Sequence, residues 1–187
     1  MAASPTDIEL DIPAPEFSLP GVDGKTYSFA DIAGPKGTVV VFICNHCPYV
    51  LAIVDRLVKD ARALMSEGIG FAAICSNDAA AYPDDSFPNM QDFAKRHALP
   101  FPYLHDESQQ VARAYGAVCT PDFFGYGADG KLKYRGRLDE GRRDPPPPGA
   151  RRELLVAMRQ IAATNEIPDD QTPSIGCSIK WKPSATA

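Results

Sequence analysis

The sequence predicts an α/β fold: a mixed central β-sheet flanked by helices, with an N-terminal β-hairpin ahead of it and an extended C-terminal tail behind it. Three observations predict it. An unbroken run of β-branched and aromatic residues at 38–43 has the composition of a strand buried on both faces. It passes through Cys44-Asn45-His46-Cys47 straight into an amphipathic stretch that reads as a helix. Strand-like and helix-like stretches then alternate until a pair of strands joined by Asp129-Gly130, which implies parallel pairing inside the sheet and antiparallel pairing at its end.

At 187 residues the chain is long enough for one domain with a real core. We divide it into an N-terminal extension at 1–15, a domain at 16–163 and a tail at 164–187. The net charge is −5 with the signs interspersed, so the basic surface that tracks phosphates is missing and no nucleic-acid partner is expected. No window approaches the roughly 18–20 apolar residues of a membrane span, so no membrane partner is expected either. The first residues are polar and acidic, unlike a secretory signal, and the expected location is cytoplasmic. The five cysteines, Cys44, Cys47, Cys75, Cys119 and Cys177, are too sparse for a disulfide framework. The expected state is monomer or homodimer.

Taken in order, Phe17 and Leu19 alternate, a Gly-containing turn follows, and Tyr27 and Phe29 alternate again, which is a hairpin pattern suited to covering a sheet edge. After the 38–43 strand, Val50, Val54, Leu57, Ala61 and Leu64 form one stripe of a helix that stops at Gly68. Residues 71–75 read as a second buried strand, and 77–86 as a loop containing Pro83 and aspartates. Ser86 then opens a helix with Pro88 in its first turn, where a missing N–H costs nothing. Asp106 and Gln109 have capping spacing for a helix that ends near Tyr115. Residues 121–126 and 131–138 are the antiparallel pair, and Leu154, Met158 and Ile161 mark a last helix.

The chemistry is concentrated at Cys44-Asn45-His46-Cys47. A strand-to-helix junction puts a thiol near the orphan amides and positive end of a helix, where thiolate is favoured. The expectation is that Cys44 sits at the helix cap with a depressed pKa and that Cys47 is close enough to resolve a mixed disulfide. His46, between them, would stabilise the thiolate further. A structural zinc site would need a second cysteine pair, which the sequence lacks, so no metal and no cofactor are expected. The catalytic set is therefore Cys44, Cys47 and His46. Thr120 and Pro121 form the second informative spot: Pro121 opens a strand, and the Thr120 backbone would be free to pair with a substrate chain. Cys119 and Cys177 are auxiliary thiols, with Cys177 either a spare surface thiol or a resolving or relay one.

These residues resemble the thioredoxin superfamily. The signals are strand–Cys-x-x-Cys–helix, then Tyr115-Gly116-Ala117-Val118-Cys119-Thr120-Pro121, then a β-hairpin and a final helix. Ala14-Pro15-Glu16-Phe17-Ser18-Leu19 resembles the entry of peroxiredoxins and of thioredoxin-like cytochrome-maturation reductases. The whole is similar to a peroxiredoxin-like thioredoxin family of bacteria and plastids, of the alkyl hydroperoxide reductase/thiol-specific antioxidant type. That family is marked by Cys44-Asn45-His46-Cys47-Pro48-Tyr49-Val50 and by Gly176-Cys177-Ser178-Ile179-Lys180-Trp181-Lys182. The resemblance implies a thioredoxin-like fold, Cys44 as attacking and Cys47 as resolving thiol, and a cis bond before Pro121.

Departures qualify the match. Ile43 replaces thioredoxin's Trp, and Thr38 stands where its buried acid would be. The peroxidatic cysteine of peroxiredoxins falls at Cys47, but their Thr and Pro positions hold Cys44 and Val40. The expected function is therefore thiol–disulfide exchange with protein or low-molecular-weight disulfides and thiols. A thiol-dependent peroxidase of unusual geometry and a thioredoxin-like copper-binding chaperone are the alternatives.

Overall fold

A computed structural model describes residues 2–6 and 8–183. The strands are β1 (Ala2–Ala3), β2 (Ser18–Pro20), β3 (Thr26–Ser28), β4 (Thr38–Phe42), β5 (Gly70–Cys75), β6 (Tyr103–His105), β7 (Cys119–Thr120), β8 (Asp122–Tyr126), β9 (Leu132–Gly136) and β10 (Gly176–Ser178). The helices are α1 (Phe29–Ile32), α2 (Pro48–Ser66), α3 (Phe87–Arg96), α4 (Gln110–Tyr115) and α5 (Glu153–Thr164).

The main sheet has the order β6-β5-β4-β8-β9. β4 pairs in parallel with β5, and β5 with β6; β4 pairs antiparallel with β8, and β8 with β9. This is the mixed sheet expected from the sequence, and its topology is thioredoxin-like. The β2–β3 hairpin lies against the β6 edge, where the Val22 amide donates to the Tyr103 carbonyl at 2.9 Å.

Successive residues of a strand point to opposite faces, and β4 uses both. Val39 and Val41 join a cluster with Val50, Leu57 and Leu64 of α2, Phe93 of α3 and Met158 of α5. Val40 and Phe42 join Phe17, Phe29, Tyr115 and Phe124 on the other side. All five residues of β4 are buried, so the strand leading to the cysteines is held from both faces.

Two helix starts differ from expectation. α2 begins at Pro48, so Cys47 and not Cys44 is its N-cap residue. The cause is local: proline is favoured in the first turn because it has no N–H to leave unpaired. α4 is short, and its N-cap Gln109 has a left-handed backbone at φ 63°. The side chains do other work. Asp106 Oδ2 accepts from the Ala112 amide at 2.9 Å, and Gln109 Nε2 donates to the carbonyls of Ser76 and Lys180.

The C-terminal segment is extended and clamped down. β10 pairs antiparallel with β7, setting Cys177 opposite Thr120, and with β1 on its other side. The Lys180 amide donates to Asn77 Oδ1 at 2.8 Å, and Ile179 is buried. Trp181 lies under the Arg113 guanidinium at 4.4 Å. Among the described residues, no helix is long and apolar enough to cross a membrane.

Leu57 is fully buried in α2, whereas Leu51 on the same helix is 47% exposed. Leu57→Ala should cost about 2–5 kcal/mol in a denaturant titration, through lost burial and the cavity left behind. Leu51→Ala should stay within about 0.5 kcal/mol. Equal losses would contradict this assignment of faces.

Candidate active site

β4 delivers Cys44 and α2 begins after Cys47, so the dithiol sits where strand ends and helix starts. Both cysteines are buried, at 1% and 0% exposure. The Thr120–Pro121 peptide is cis, which brings Thr120 directly onto them. Cys47 Sγ lies 3.1 Å from the Thr120 carbonyl oxygen, to which it donates when protonated. Cys44 Sγ lies 3.4 Å from Thr120 Oγ1. Beside Pro121 opens a cleft of about 370 Å³, solvent at its mouth included, lined by Tyr49, Ile53, Phe123 and Arg142 among others.

The two thiols are driven apart electrostatically. The hydrogen bond with Cys44 pulls the Cys47 thiol well below an ordinary thiol, with smaller help from Cys177 and Thr120, against the opposing effect of burial. The same bond pushes Cys44 up, and burial and the Asp85 charge add to it. The two thiols therefore titrate as a pair, in two steps that belong to both. The sequence placed the depressed pKa on Cys44. The correction follows from the later start of α2.

His46 Nδ1 lies 2.9 Å from Asp85 Oδ2, an ion-pair approach that is not aligned as a hydrogen bond. The imidazole stacks on Tyr82, with ring planes 4° apart. Asp85 is completely buried. Its carboxylate accepts from the Asn45 amide and from Asn77 Nδ2, each at 2.7 Å, and so pins the loop between the cysteines. Asp85 is the functional residue that sequence reasoning missed. An acid was sought at Thr38, on the strand before the dithiol. It comes instead from the loop after β5, and the available signal was topological, because loops at the carboxyl ends of adjacent parallel strands converge.

Cys44, His46 and Asp85 place a sulfur, an imidazole nitrogen and a carboxylate oxygen within 4.8 Å of one another. Each Asp85 oxygen already accepts one hydrogen bond from the protein. Cys119 is fully buried, its Sγ 3.6 Å from the Pro121 carbonyl, and burial pushes its thiol up. Cys75 is likewise buried, and its thiol is pushed up to about 12. Cys177 is half-buried and packs against the cluster containing Cys44 and Cys47. One expectation needs a second correction: the Thr120 backbone is not free for a substrate chain, because β10 pairs with it. Glycine at 176 permits that approach, since a Cβ there would lie 2.0 Å from the Thr120 oxygen.

A family model described as the AhpC/TSA family matches residues 11–135. The crystal structure of an uncharacterized conserved protein from Geobacillus kaustophilus is similar over 99% of this chain and 98% of its own, at 44% identity and a TM-score of 0.94. Thiol-disulfide oxidoreductase ResA of Geobacillus thermodenitrificans is 26% identical over 135 residues, which is 68% of this chain and 69% of that protein. A secreted Mycobacterium tuberculosis disulfide oxidoreductase shares the fold at 22% identity and a TM-score of 0.56, over 79% of this chain and 95% of its own.

The shifted pair gives a pH dependence with a definite sign. Cys47's folded value lies below its unfolded one. It therefore stabilises the reduced protein at neutral and alkaline pH, and that contribution is lost as pH falls through the depressed folded value. Ordinary thiols lose thiolate below about pH 8. Thiolate absorbance of the reduced protein should persist into the acidic range, and Asp85→Asn should move the second thiol titration to lower pH by removing a charge beside Cys44. A titration indistinguishable from a free thiol would contradict the arrangement.

Proposed function

We propose that this chain, which belongs to the AhpC/TSA family and is a thiol–disulfide oxidoreductase, works by passing a disulfide between its substrates and the Cys44–Cys47 pair. The observation that carries the reading is a pair of buried sulfurs at the start of α2, both set against Thr120. Cys44 Sγ, hydrogen-bonded to the Cys47 thiolate, attacks one sulfur of a substrate disulfide, and its proton passes to Cys47. The leaving substrate thiolate takes that proton. Cys47, anionic again, attacks Cys44 Sγ and releases the second substrate thiol as thiolate. Two electrons pass from the pair to the substrate, and a Cys44–Cys47 disulfide remains.

Thr120 steers this chemistry from the cis-peptide side, with its hydroxyl at Cys44 and its carbonyl at Cys47. His46, beside Asp85, lines a polar hollow with Asn45. Substrates are protein or low-molecular-weight disulfides; the sparse cysteine set supports a reducing, cytoplasmic setting, and the chain acts as a monomer or homodimer. Disulfide exchange is favoured over peroxide reduction because Val40 and Cys44 fill the positions where the peroxidatic pocket has Pro and Thr.

Insulin-disulfide reduction with a chemical dithiol as donor tests the reading. Cys44→Ser should lose at least about 10³-fold of activity, in the range expected when a nucleophile is removed. Cys47→Ser should accumulate a mixed disulfide at Cys44. Trapping at Cys47 in Cys44→Ser would reverse the order of attack, and an inert wild-type protein would remove the proposal.

A further inference from the structure

Three cysteines meet at Thr120, and the least buried of them belongs to the C-terminal strand. We propose that Cys177 is a third exchange thiol, which takes over the disulfide from Cys47 and presents it to an external dithiol reductant. The proposal rests on the Cys44–Cys47 exchange put forward above and adds the path by which the pair is recharged.

Exposure sets the third thiol apart. Cys44 and Cys47 are 1% and 0% exposed, and β10 occupies the strand edge beside them. Cys177 is the half-buried thiol of the three. Its position is built. The β10 register sets it opposite Thr120, whose carbonyl oxygen is 3.1 Å from Cys47 Sγ. Gly176 lets the two backbones meet. Beyond it, the Ile179 amide donates to the Val118 carbonyl at 3.1 Å, and the Lys180 carbonyl accepts from the Asp78 amide and Gln109 Nε2. Cys177 packs against the buried cluster that contains Cys44 and Cys47. The other two cysteines do not fit the role, since Cys75 and Cys119 are fully buried with their thiols pushed up.

The electrostatics turn with the redox state. In the reduced protein, burial and then the contact with anionic Cys47 hold the Cys177 proton in place, while Lys180 opposes them. Once Cys47 is bonded to Cys44 its charge is gone, and Lys180 still favours a thiolate at Cys177. The thiol is therefore most nucleophilic when there is a disulfide to attack.

The steps balance. The Cys177 thiolate attacks Cys47 Sγ, the Cys44–Cys47 bond breaks, and Cys44 leaves as a thiolate and takes up a proton. A Cys47–Cys177 disulfide now reaches the surface at its Cys177 end. One thiolate of the external dithiol attacks Cys177 Sγ and frees the Cys47 thiolate. The second thiol of the donor then displaces Cys177, leaving the donor oxidised and all three protein sulfurs reduced.

The test uses the full chain in three arms. Diamide-oxidised wild-type protein should show a Cys44–Cys47 disulfide on peptide mapping; its absence removes the underlying exchange reading and this proposal with it. Diamide-treated Cys44→Ala should show a Cys47–Cys177 disulfide. In stopped flow, reduction of the Cys44–Cys47 disulfide by a protein dithiol, reduced thioredoxin, should slow by about tenfold or more in Cys177→Ser. With the Cys44–Cys47 disulfide present in the wild type, either a free Cys177 in the second arm or an unchanged rate in the third overturns the relay and leaves the exchange reading standing.

Discussion

The Thr120 main chain is shared. Its carbonyl oxygen faces Cys47, its hydroxyl faces Cys44, and its backbone pairs with the strand that carries Cys177. The Thr120–Pro121 bond is cis, between the end of β7 and the start of β8 in the main sheet. A neighbouring ion pair stiffens the same region. Arg135 reaches Asp122, the residue after Pro121, at 3.1 Å and the Gly116 carbonyl at 2.6 Å, with its guanidinium over the Phe124 ring. A buried pair of this kind gives little net stability, but loss of one partner leaves a charge stranded in the core. Burial already holds the Asp122 carboxyl up at about 6.

Around that anchor two opposed fields act on chemically identical thiols. The start of α2 and the converging hydrogen bonds favour charge on Cys47, while burial and Asp85 disfavour it on Cys44. The two sulfurs titrate together as a consequence, which suits one thiol to attack while the other receives its proton. The same asymmetry extends to the tail, because Cys177 responds to whether Cys47 is charged or bonded.

Much of this was legible in the sequence, for physical reasons. The β4 run and the α2 stripe are dictated by burial and periodicity, and Cys-x-x-Cys between them specifies a dithiol at a strand–helix junction. What the sequence could not reveal lies in side chains that meet across long separations. Asp85 comes to the dithiol from a loop that also holds Asp78 and Asp84; the adjacent Asp84 and Asp85 look alike in sequence, yet Asp85 is buried and Asp84 is exposed. The residue at the α2 cap depended on where Pro48 falls within the first turn, a shift of a few residues that periodicity does not resolve. The tail looked like a polar, proline-punctuated end. Its docking depends on Gly176 lacking a Cβ and on Gln109 and Asn77 turning their amides to its backbone, and none of these is a local signal.

The reduction potential of the Cys44–Cys47 couple tests the central claim most directly. A thiolate stabilised at the helix start stabilises the reduced form and so makes the disulfide more oxidising. Equilibration with glutathione buffers, carried out in Cys177→Ser to isolate the pair, should give a potential less negative than thioredoxin's value of about −270 mV. A potential at or below that value would mean that the charge on Cys47 is not stabilised, and would contradict the account.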